Sequence, residues 1–210
     1  MGFYGDHIAP RIVSLACGMK DAQRQRQKVV PRAKGRVLEV GMGSGHNLSF
    51  YDPDKIEMVW GLEPGETMRN MARPKADRAP FDVEFLDSPG EEIPLDDDSA
   101  DTVLTTFTLC TIPDAAAALT QMRRVLKPGG ELIFLEHGEA PDAGVRRWQH
   151  RIEPIWKPMA GGCHITRRIP EMLGETGFKI NDMESGYLPG LAAKLLVFAA
   201  YEHWGSATAK

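Results

Sequence analysis

VLEVGMGSGHN, residues 37–47, runs a short apolar segment into a loop with glycine at every second position. Val37 to Val40 have strand character, and Gly41, Gly43 and Gly45 lack the Cβ atoms that would keep a backbone from turning sharply or approaching a ligand closely. The pattern is strand, loop, helix. Glu63 closes a second apolar run 22 residues after Gly41, where a carboxylate can accept both ribose hydroxyls of an adenosine. These features alone also suit a dinucleotide. That fingerprint, however, reads G-x-G-x-x-G, with a third glycine where helix meets strand and a helix N-terminus free for pyrophosphate. Here the loop reads G-x-G-x-G and continues into His46 and Asn47. A curve so bare suits an amino-acid moiety, with Glu39 beneath it either holding a ligand ammonium or ordering the loop.

Outward from this loop, strands alternate with helices. Met58–Leu62 reads as a second strand and is followed by a helix that Pro74 stops. Val83–Leu86 reads as a third and DTVLTTFTLCTI, residues 101–112, as a fourth; residues 115–126 form a helix with Leu119, Met122 and Leu126 on one face. KPGG turns the chain into ELIFLEH, a near-continuous apolar run expected of a strand covered on both faces. Such alternation implies an α/β fold with a parallel sheet and right-handed crossovers. At the end, FKINDMESG (178–186) and AKLLVFAAYEH (193–203) leave no room for a full crossover helix and predict an antiparallel addition at the sheet edge.

The chain has 210 residues, enough to bury a substantial core, and one domain is expected. Net charge is −4, and the basic cluster Arg24 to Lys28, interleaved with glutamines, reads as a solvated helix face, so no nucleic-acid partner is expected. Cys17, Cys110 and Cys163 have no paired spacing, which fits a reducing compartment and predicts a cytoplasmic protein without a disulfide framework. A metal at Cys163, His164 and His137 would need a convergence that their spacing does not promise, and none is expected. No run approaches the roughly 20 apolar residues of a membrane span. Ile8, Ile12, Leu15 and Met19 make an apolar helical stripe, facing its own domain, a bound ligand or, as the lesser reading, a membrane surface.

VLEVGMGSGHN, GLEPGETM, SADTVLTTFTLCTIPD and MRRVLKPGGELIFLEH together resemble a class I S-adenosylmethionine-dependent methyltransferase over roughly residues 35–140. The resemblance implies a Rossmann-like, mostly parallel seven-stranded sheet with an antiparallel C-terminal strand, and S-adenosyl-L-methionine as cofactor, leaving as S-adenosyl-L-homocysteine. It assigns Gly41, Gly43 and Gly45 to the methionine part, Glu63 to the ribose, and Pro64 and Met68 to the adenine, with Glu39 and Asn47 as further cofactor-binding candidates. Asp87, Ser88 and Glu91 belong near the adenine, and Thr106 and Phe107 near the sulfonium. The familiar third-loop pattern is Asp-Ala-Glu; here Pro89 and Gly90 intervene, which leaves the adenine-amine contact open. The segment EHGEAPDAGVRRWQHRIEPIWKPMAGGCHITRR is similar to thiol S-methyltransferases, including bacterial relatives of mammalian endoplasmic-reticulum alkyl thiol methyltransferases. Animal members carry an N-terminal membrane anchor, and no such segment is read here, which points to a small soluble thiol. Related bacterial enzymes methylate phospholipid amines and quinone rings, so an amphipathic acceptor reached by peripheral membrane contact stays open, as does a non-catalytic cofactor-binding module.

The expected layout is an N-terminal helical lid (1–30), a cofactor-binding core (35–140), a substrate-side insert (141–170) and a C-terminal helix with edge strands (171–205). Methyl transfer needs a nucleophile aligned with the methyl and water excluded. A thiol ionises near neutral pH and needs little help from a base, whereas an amine or phenol needs more. His137, at a strand's carboxyl end, is the candidate proton acceptor, with His164 and Arg167 in a Gly-flanked loop that covers the pocket and favours a thiolate. Trp148 and Trp156 on one helix face, Cys163 as reactive or buried thiol, and Tyr4 and His7 in the lid are the acceptor-side candidates; core packing is the alternative for the tryptophans and ordinary N-terminal disorder for Tyr4 and His7.

Overall fold

The computed structural model describes residues 9–189 and 196–210. Tyr4, His7 and Ile8 lie outside them. Two helices, α1 (Ala9–Cys17) and α2 (Lys20–Val29), lead through a 3-10 turn at Val30–Arg32 into the first strand. The remaining order is β1 (Gly35–Val40), β2 (Ile56–Leu62), α3 (Glu66–Ala76), β3 (Asp82–Leu86), β4 (Ala100–Thr106), α4 (Ala115–Val125), β5 (Leu126–His137), α5 (Ala143–Met159), α6 (Ile169–Glu175), β6 (Phe178–Tyr187) and β7 (Tyr201–Ala209).

The seven strands form one sheet in the order β3-β2-β1-β4-β5-β7-β6. β1 to β5 are mutually parallel, and β7 runs antiparallel between β5 and β6. Strand order reverses between β1 and β4, so the loops after those strands open into the crevice where such sheets bind ligands. Fully buried side chains cover both faces: Leu38, Leu62, Val103, Leu132 and Phe134 on one, Val37, Val59, Leu104, Ile133 and Leu135 on the other. This is why the central strands read as continuous apolar runs. Among the described residues no helix is long and apolar enough to cross a membrane.

Several elements differ from expectation. α3 continues through Pro74 to Ala76, because in a last turn the missing N–H costs one bond and Asp77 N–H closes the end on Arg73. β4 stops at Thr106 instead of Ile112, since Phe107 takes a left-handed φ of 57° and breaks the ladder. KPGG lies within β5, opposite a register shift, so it is an irregularity in the strand and not a turn before it. β7 begins at Tyr201: Val197–Ala199 is a 3-10 turn, and 193–195 fall outside the described residues. The small and polar residues of YEHWGSATA conceal a strand whose place comes from pairing on both edges.

The N-terminal stripe also faces the other way. Ile12, Leu15 and Met19 are exposed (Leu15 by 77%), while Val13, Ser14 and Cys17 turn inward. Ser14 Oγ lies 2.7 Å from Ser44 Oγ, and its carbonyl oxygen 2.9 Å from His46 Nε2, tying α1 to the glycine loop. On α2 the basic cluster is not uniformly solvated: Arg26 and Gln25 are buried with Ala22 and Val29.

Candidate active site

Gly41, Gly43 and Gly45 take φ values of 71°, 57° and 71°, conformations that L side chains rarely adopt. A Cβ at Gly43 would meet nothing nearer than Gly41 O at 3.9 Å, so it would project into open space above the loop. That space is a cleft of about 330 Å³ lined by the loop, Asn47, Glu63, Met68 and Thr106–Thr108, with α1 residues closing one side. Glu63 Oε2 accepts from Gly43 N–H at 3.0 Å and Oε1 from Gly65 N–H at 2.8 Å, which poises the carboxylate at the cleft. Burial lifts its pKa, and the two N–H donors with Arg69 hold that rise in check.

Beneath the loop lies a buried polar network. Tyr51 O–H donates to Glu39 Oε2 at 2.7 Å, and Asn47 Nδ2 donates to Glu39 Oε1 and to Thr106 Oγ1 at 2.9 and 3.0 Å. Arg26 Nε donates to Asn47 Oδ1 at 2.9 Å and Nη1 to Cys17 O at 2.7 Å. Glu39 is buried beneath these donors and lines neither cleft, and its hydrogen bonds order the loop. Burial raises its pKa to about 7, against the hydrogen bonds of Tyr51 and Asn47 and the charge of Arg26. His46, at the cleft wall, is driven down to about 4 by burial and by Lys75 and Arg26.

The third loop separates its three candidates. Pro64, Ser88 and Glu91 line an adjoining cleft of about 200 Å³ that shares Gly41, Glu63 and Thr108 with the first. Glu91 Oε1 accepts from Asp114 N–H at 3.1 Å. Asp87 lines neither cleft; both its oxygens accept from Arg69, at 2.6 and 2.7 Å, and Arg69 also donates to Glu63 O. Asp87 therefore holds the Glu63 backbone through Arg69.

A second, mostly apolar pocket of about 170 Å³ adjoins the first across Phe107 and Cys17, with His137, Trp156, Leu196, Ala199 and Glu202 among its walls. The Phe107 ring lies between the Arg26 guanidinium (5.0 Å) and the His137 ring (4.9 Å). Glu136, buried beside it, accepts from Thr108 N–H at 3.0 Å and Cys110 N–H at 3.3 Å, shaping the turn after β4. Burial lifts Glu136 to about 6, against those donors. His137 points Nδ1 at Cys110 Sγ (3.9 Å) and Cys163 Sγ (3.8 Å), and Nε2 at Glu202 Oε1 (3.8 Å). Burial pushes its pKa down, but the hydrogen bond and charge of Cys163, with Glu202 and Glu136, outweigh this and hold it at about 9. Cys110 and His137 draw Cys163 well below the thiol range, while Cys163 and burial push Cys110 up. His137 thus has protein partners facing both ring nitrogens.

Other acceptor-side expectations are redistributed. Arg167 is spent on backbone carbonyls, donating to Leu109 O, to Ile112 O at 2.6 Å and to Pro113 O at 3.3 Å, so it clamps the turn after β4 and does not face the pocket. His164 Nδ1 lies 3.1 Å from Oε1 of Glu153, a carboxylate whose other oxygen accepts twice from Thr166; these contacts order the loop. Trp156 lines the pocket and meets Phe198 edge-on at 5.4 Å. Trp148 does not: it is 59% exposed, because eight residues overshoot two helical turns. Gln149 is buried in its stead and bonds Ala140 N–H, Gly138 O and Phe198 O. Arg26, Cys110 and Glu202 are the site groups the sequence reading missed. Arg26 shares a helical stripe with Ala22 and Val29 and was legible; Glu202 reaches His137 only through β5–β7 register.

A family model described as a methyltransferase domain matches residues 38–134. Human thiol S-methyltransferase TMT1B is 35% identical over 158 residues, covering 72% of this chain and 64% of the relative. A phosphatidylethanolamine N-methyltransferase of Cereibacter sphaeroides is 28% identical over 141 residues, covering 64% of this chain and 68% of its own. The chain spans 54 to 64% of the length of the thiol S-methyltransferases it matches. In structure, a Thermotoga maritima SAM-dependent methyltransferase, described as a possible histamine N-methyltransferase, superposes with a TM-score of 0.70 at 23% identity, covering 98% of this chain and all of that one. The chain has the class I methyltransferase fold, its residues 38–134 match the methyltransferase domain family, and its named relatives include thiol S-methyltransferases.

Proposed function

We propose that the protein transfers a methyl group from S-adenosylmethionine to a small thiol or sulfide. One observation carries the acceptor: the apolar pocket meets the glycine cleft at Phe107, and its one imidazole, His137, already faces protein groups. His137 faces two sulfurs and Glu202, and Glu202 Oε2 accepts from Gln25 at 2.9 Å. An amine or phenol acceptor wants a free base, whereas a thiol needs chiefly a positive neighbour that favours its thiolate. The similarity to thiol S-methyltransferases supports the same acceptor.

The glycine loop fits the cofactor: it is a bare floor with a ribose-height carboxylate at its rim. When bound, S-adenosylmethionine supplies an electrophilic methyl on a sulfonium. Gly41 and Gly43 would seat its amino-acid part, Glu63 its ribose hydroxyls, and Pro64, Met68, Ser88 and Glu91 its base, whereas Gly45, outside the cleft lining, gives room for Leu48 and Ala72 behind the loop. Phe107, held in a left-handed conformation, walls the boundary between cleft and pocket. Trp156 and Phe198 exclude water from the acceptor side.

The test incubates the purified full chain with labelled S-adenosylmethionine and hydrogen sulfide, methanethiol, longer alkyl thiols, phosphatidylethanolamine vesicles or a quinol. Methylated thiol is the expected product; turnover of lipid or quinol with none of any thiol would reject the reading. A second reading, an amphipathic acceptor met at an apolar surface such as a lipid bilayer, draws support from Ile12, Leu15 and Met19 and from Ile155 and Met159, all exposed on or beside helices that contribute to the pocket walls. Vesicle sedimentation of the chain, lost in an Ile12→Ser/Leu15→Ser variant, would favour it.

A further inference from the structure

We propose that Cys110, His137 and Cys163 form a site for one thiophilic divalent cation of the zinc class, with its fourth position open to an acceptor sulfur in the apolar pocket. The site stands on its own geometry; the fourth-position assignment rests on the thiol reading above.

The three ligand atoms lie within 4.8 Å of one another, with both sulfurs 3.8–3.9 Å from the same Nδ1. A tetrahedral zinc with bonds of about 2.3 Å to sulfur and about 2.05 Å to nitrogen sets its ligands roughly 3.5 to 3.8 Å apart. The two nitrogen–sulfur separations need adjustment by only tenths of an ångström, and the sulfur–sulfur separation by no more than about one. The ligands are also held without any ion. His164 N–H donates to Cys110 O at 2.7 Å, zipping the two cysteine loops together, and Glu136 holds Cys110 N–H at 3.3 Å. His137 ends β5 in register with Glu202.

Two further features match a metal site. A histidine that binds through Nδ1 must carry its proton on Nε2, and metal-bound histidines usually give that proton to a carboxylate. Glu202 Oε1 stands 3.8 Å from Nε2, buried and without a hydrogen bond among the described residues. Around the sulfurs, Ile152, Trp156, Ile165 and Phe198 form an apolar shell. Two thiolates offset the 2+ charge, and three protein ligands leave one position, the arrangement of catalytic and not structural zinc sites. Of the three ligands His137 lines the pocket, beside Trp156, and a thiol that takes the open position from that side binds as thiolate, its proton passing to water.

The full chain, produced with zinc in the medium and dialysed without chelator, should carry about one zinc per chain by elemental analysis. After chelation and reloading with cobalt(II), it should show a thiolate-to-cobalt charge-transfer band. This band should fall by about half in Cys110→Ser or Cys163→Ser, vanish in the double variant and persist in Cys17→Ser. Binding of S-adenosylhomocysteine verifies that each variant is folded. Wild-type protein with neither stoichiometric zinc nor the cobalt band overturns the site without recourse to variants, as does a band that survives the double substitution. Ethanethiol added to the cobalt form should intensify the band; an unchanged spectrum overturns the fourth-position assignment. A chain that shows the band but methylates no thiol upholds the site while rejecting the thiol reading. Undiminished thiol methylation after metal removal does the reverse for the site's role.

Discussion

Replacing Gly41 and Gly43 by alanine separates two ways in which a glycine loop can matter. Both positions are left-handed, at φ of 71° and 57°, and alanine there costs about 1–2 kcal/mol in backbone strain. At Gly43 that is nearly all, since a Cβ finds no atom nearer than 3.9 Å. At Gly41 the new Cβ would overlap Cγ2 and Oγ1 of Thr108. That side chain cannot simply rotate away, because its hydroxyl donates to Thr106 O at 3.1 Å and Gly41 O at 3.4 Å. Overpacking of this kind adds about 1–3 kcal/mol. With roughly 2–4 °C of melting temperature per kcal/mol for a chain of this size, Gly43→Ala should lower Tm by about 2–8 °C and Gly41→Ala by several degrees more. The order inverts for the ligand: the Gly43 methyl projects into the cleft and should weaken S-adenosylhomocysteine binding at least about tenfold, some 1.4 kcal/mol. Thermal melts without ligand, with calorimetric titration beside them, measure both. Thr108→Ala should restore part of the Gly41→Ala loss, a coupling of about 1 kcal/mol. Equal ligand-free destabilisation of the two single variants, or no coupling to Thr108, would refute the steric argument.

Glu63→Gln forfeits one of two backbone hydrogen bonds and the charge toward the ribose, so S-adenosylhomocysteine affinity should fall about 10- to 100-fold with little change in Tm; an unchanged dissociation constant would remove Glu63 from the ribose. Arg26→Ala leaves Asn47 and the buried Glu39 short of a partner and should cost about 3 kcal/mol in urea unfolding. Arg26→Lys should recover little of it, because an ammonium lacks the fork that reaches both Asn47 and Cys17; full recovery would show that charge alone suffices. Glu39 makes stability depend on pH. Its folded pKa of about 7 exceeds its ordinary 4.5, so the folded state holds the proton more tightly, and stability from this group is fully present below pH 4.5 and lost as pH rises through about 7. The loss is on the order of 3 kcal/mol. Urea titrations from pH 5 to 8 should therefore slope downward more steeply in the wild type than in Glu39→Gln; parallel slopes would contradict the assignment.

Near the cofactor, the residues announced their own geometry. Three alternate glycines can serve only a backbone curve, and Glu63 at a strand end must face the crevice that a parallel sheet opens at its reversal point; both are local consequences of strand, loop and period. Asp87 shows where this stops, because its carboxylate pairs with Arg69, a partner on another element. The acceptor side was less legible for the same reason. Spacing along one helix suggested Trp148 as a pocket wall, but the helix's rotation exposes it and buries Gln149. Arg167 looked like a free cation until the turn after β4 supplied three carbonyls.

The order of apolar runs, the spacing of Gly41, Gly43, Gly45 and Glu63, and the KPGG-to-LEH segment sufficed to specify an α/β methyltransferase, because each is set by neighbours a few residues apart. The chemistry of the acceptor wall was not specified that way. Cys110, His137, Cys163 and Glu202 come from four separate segments spread over 93 residues. They meet because β7 enters between β5 and β6 and because a backbone hydrogen bond joins the 110 and 164 loops. No periodicity along the chain encodes either event, so only the folded sheet could bring two sulfurs to one imidazole nitrogen and a buried carboxylate to the other.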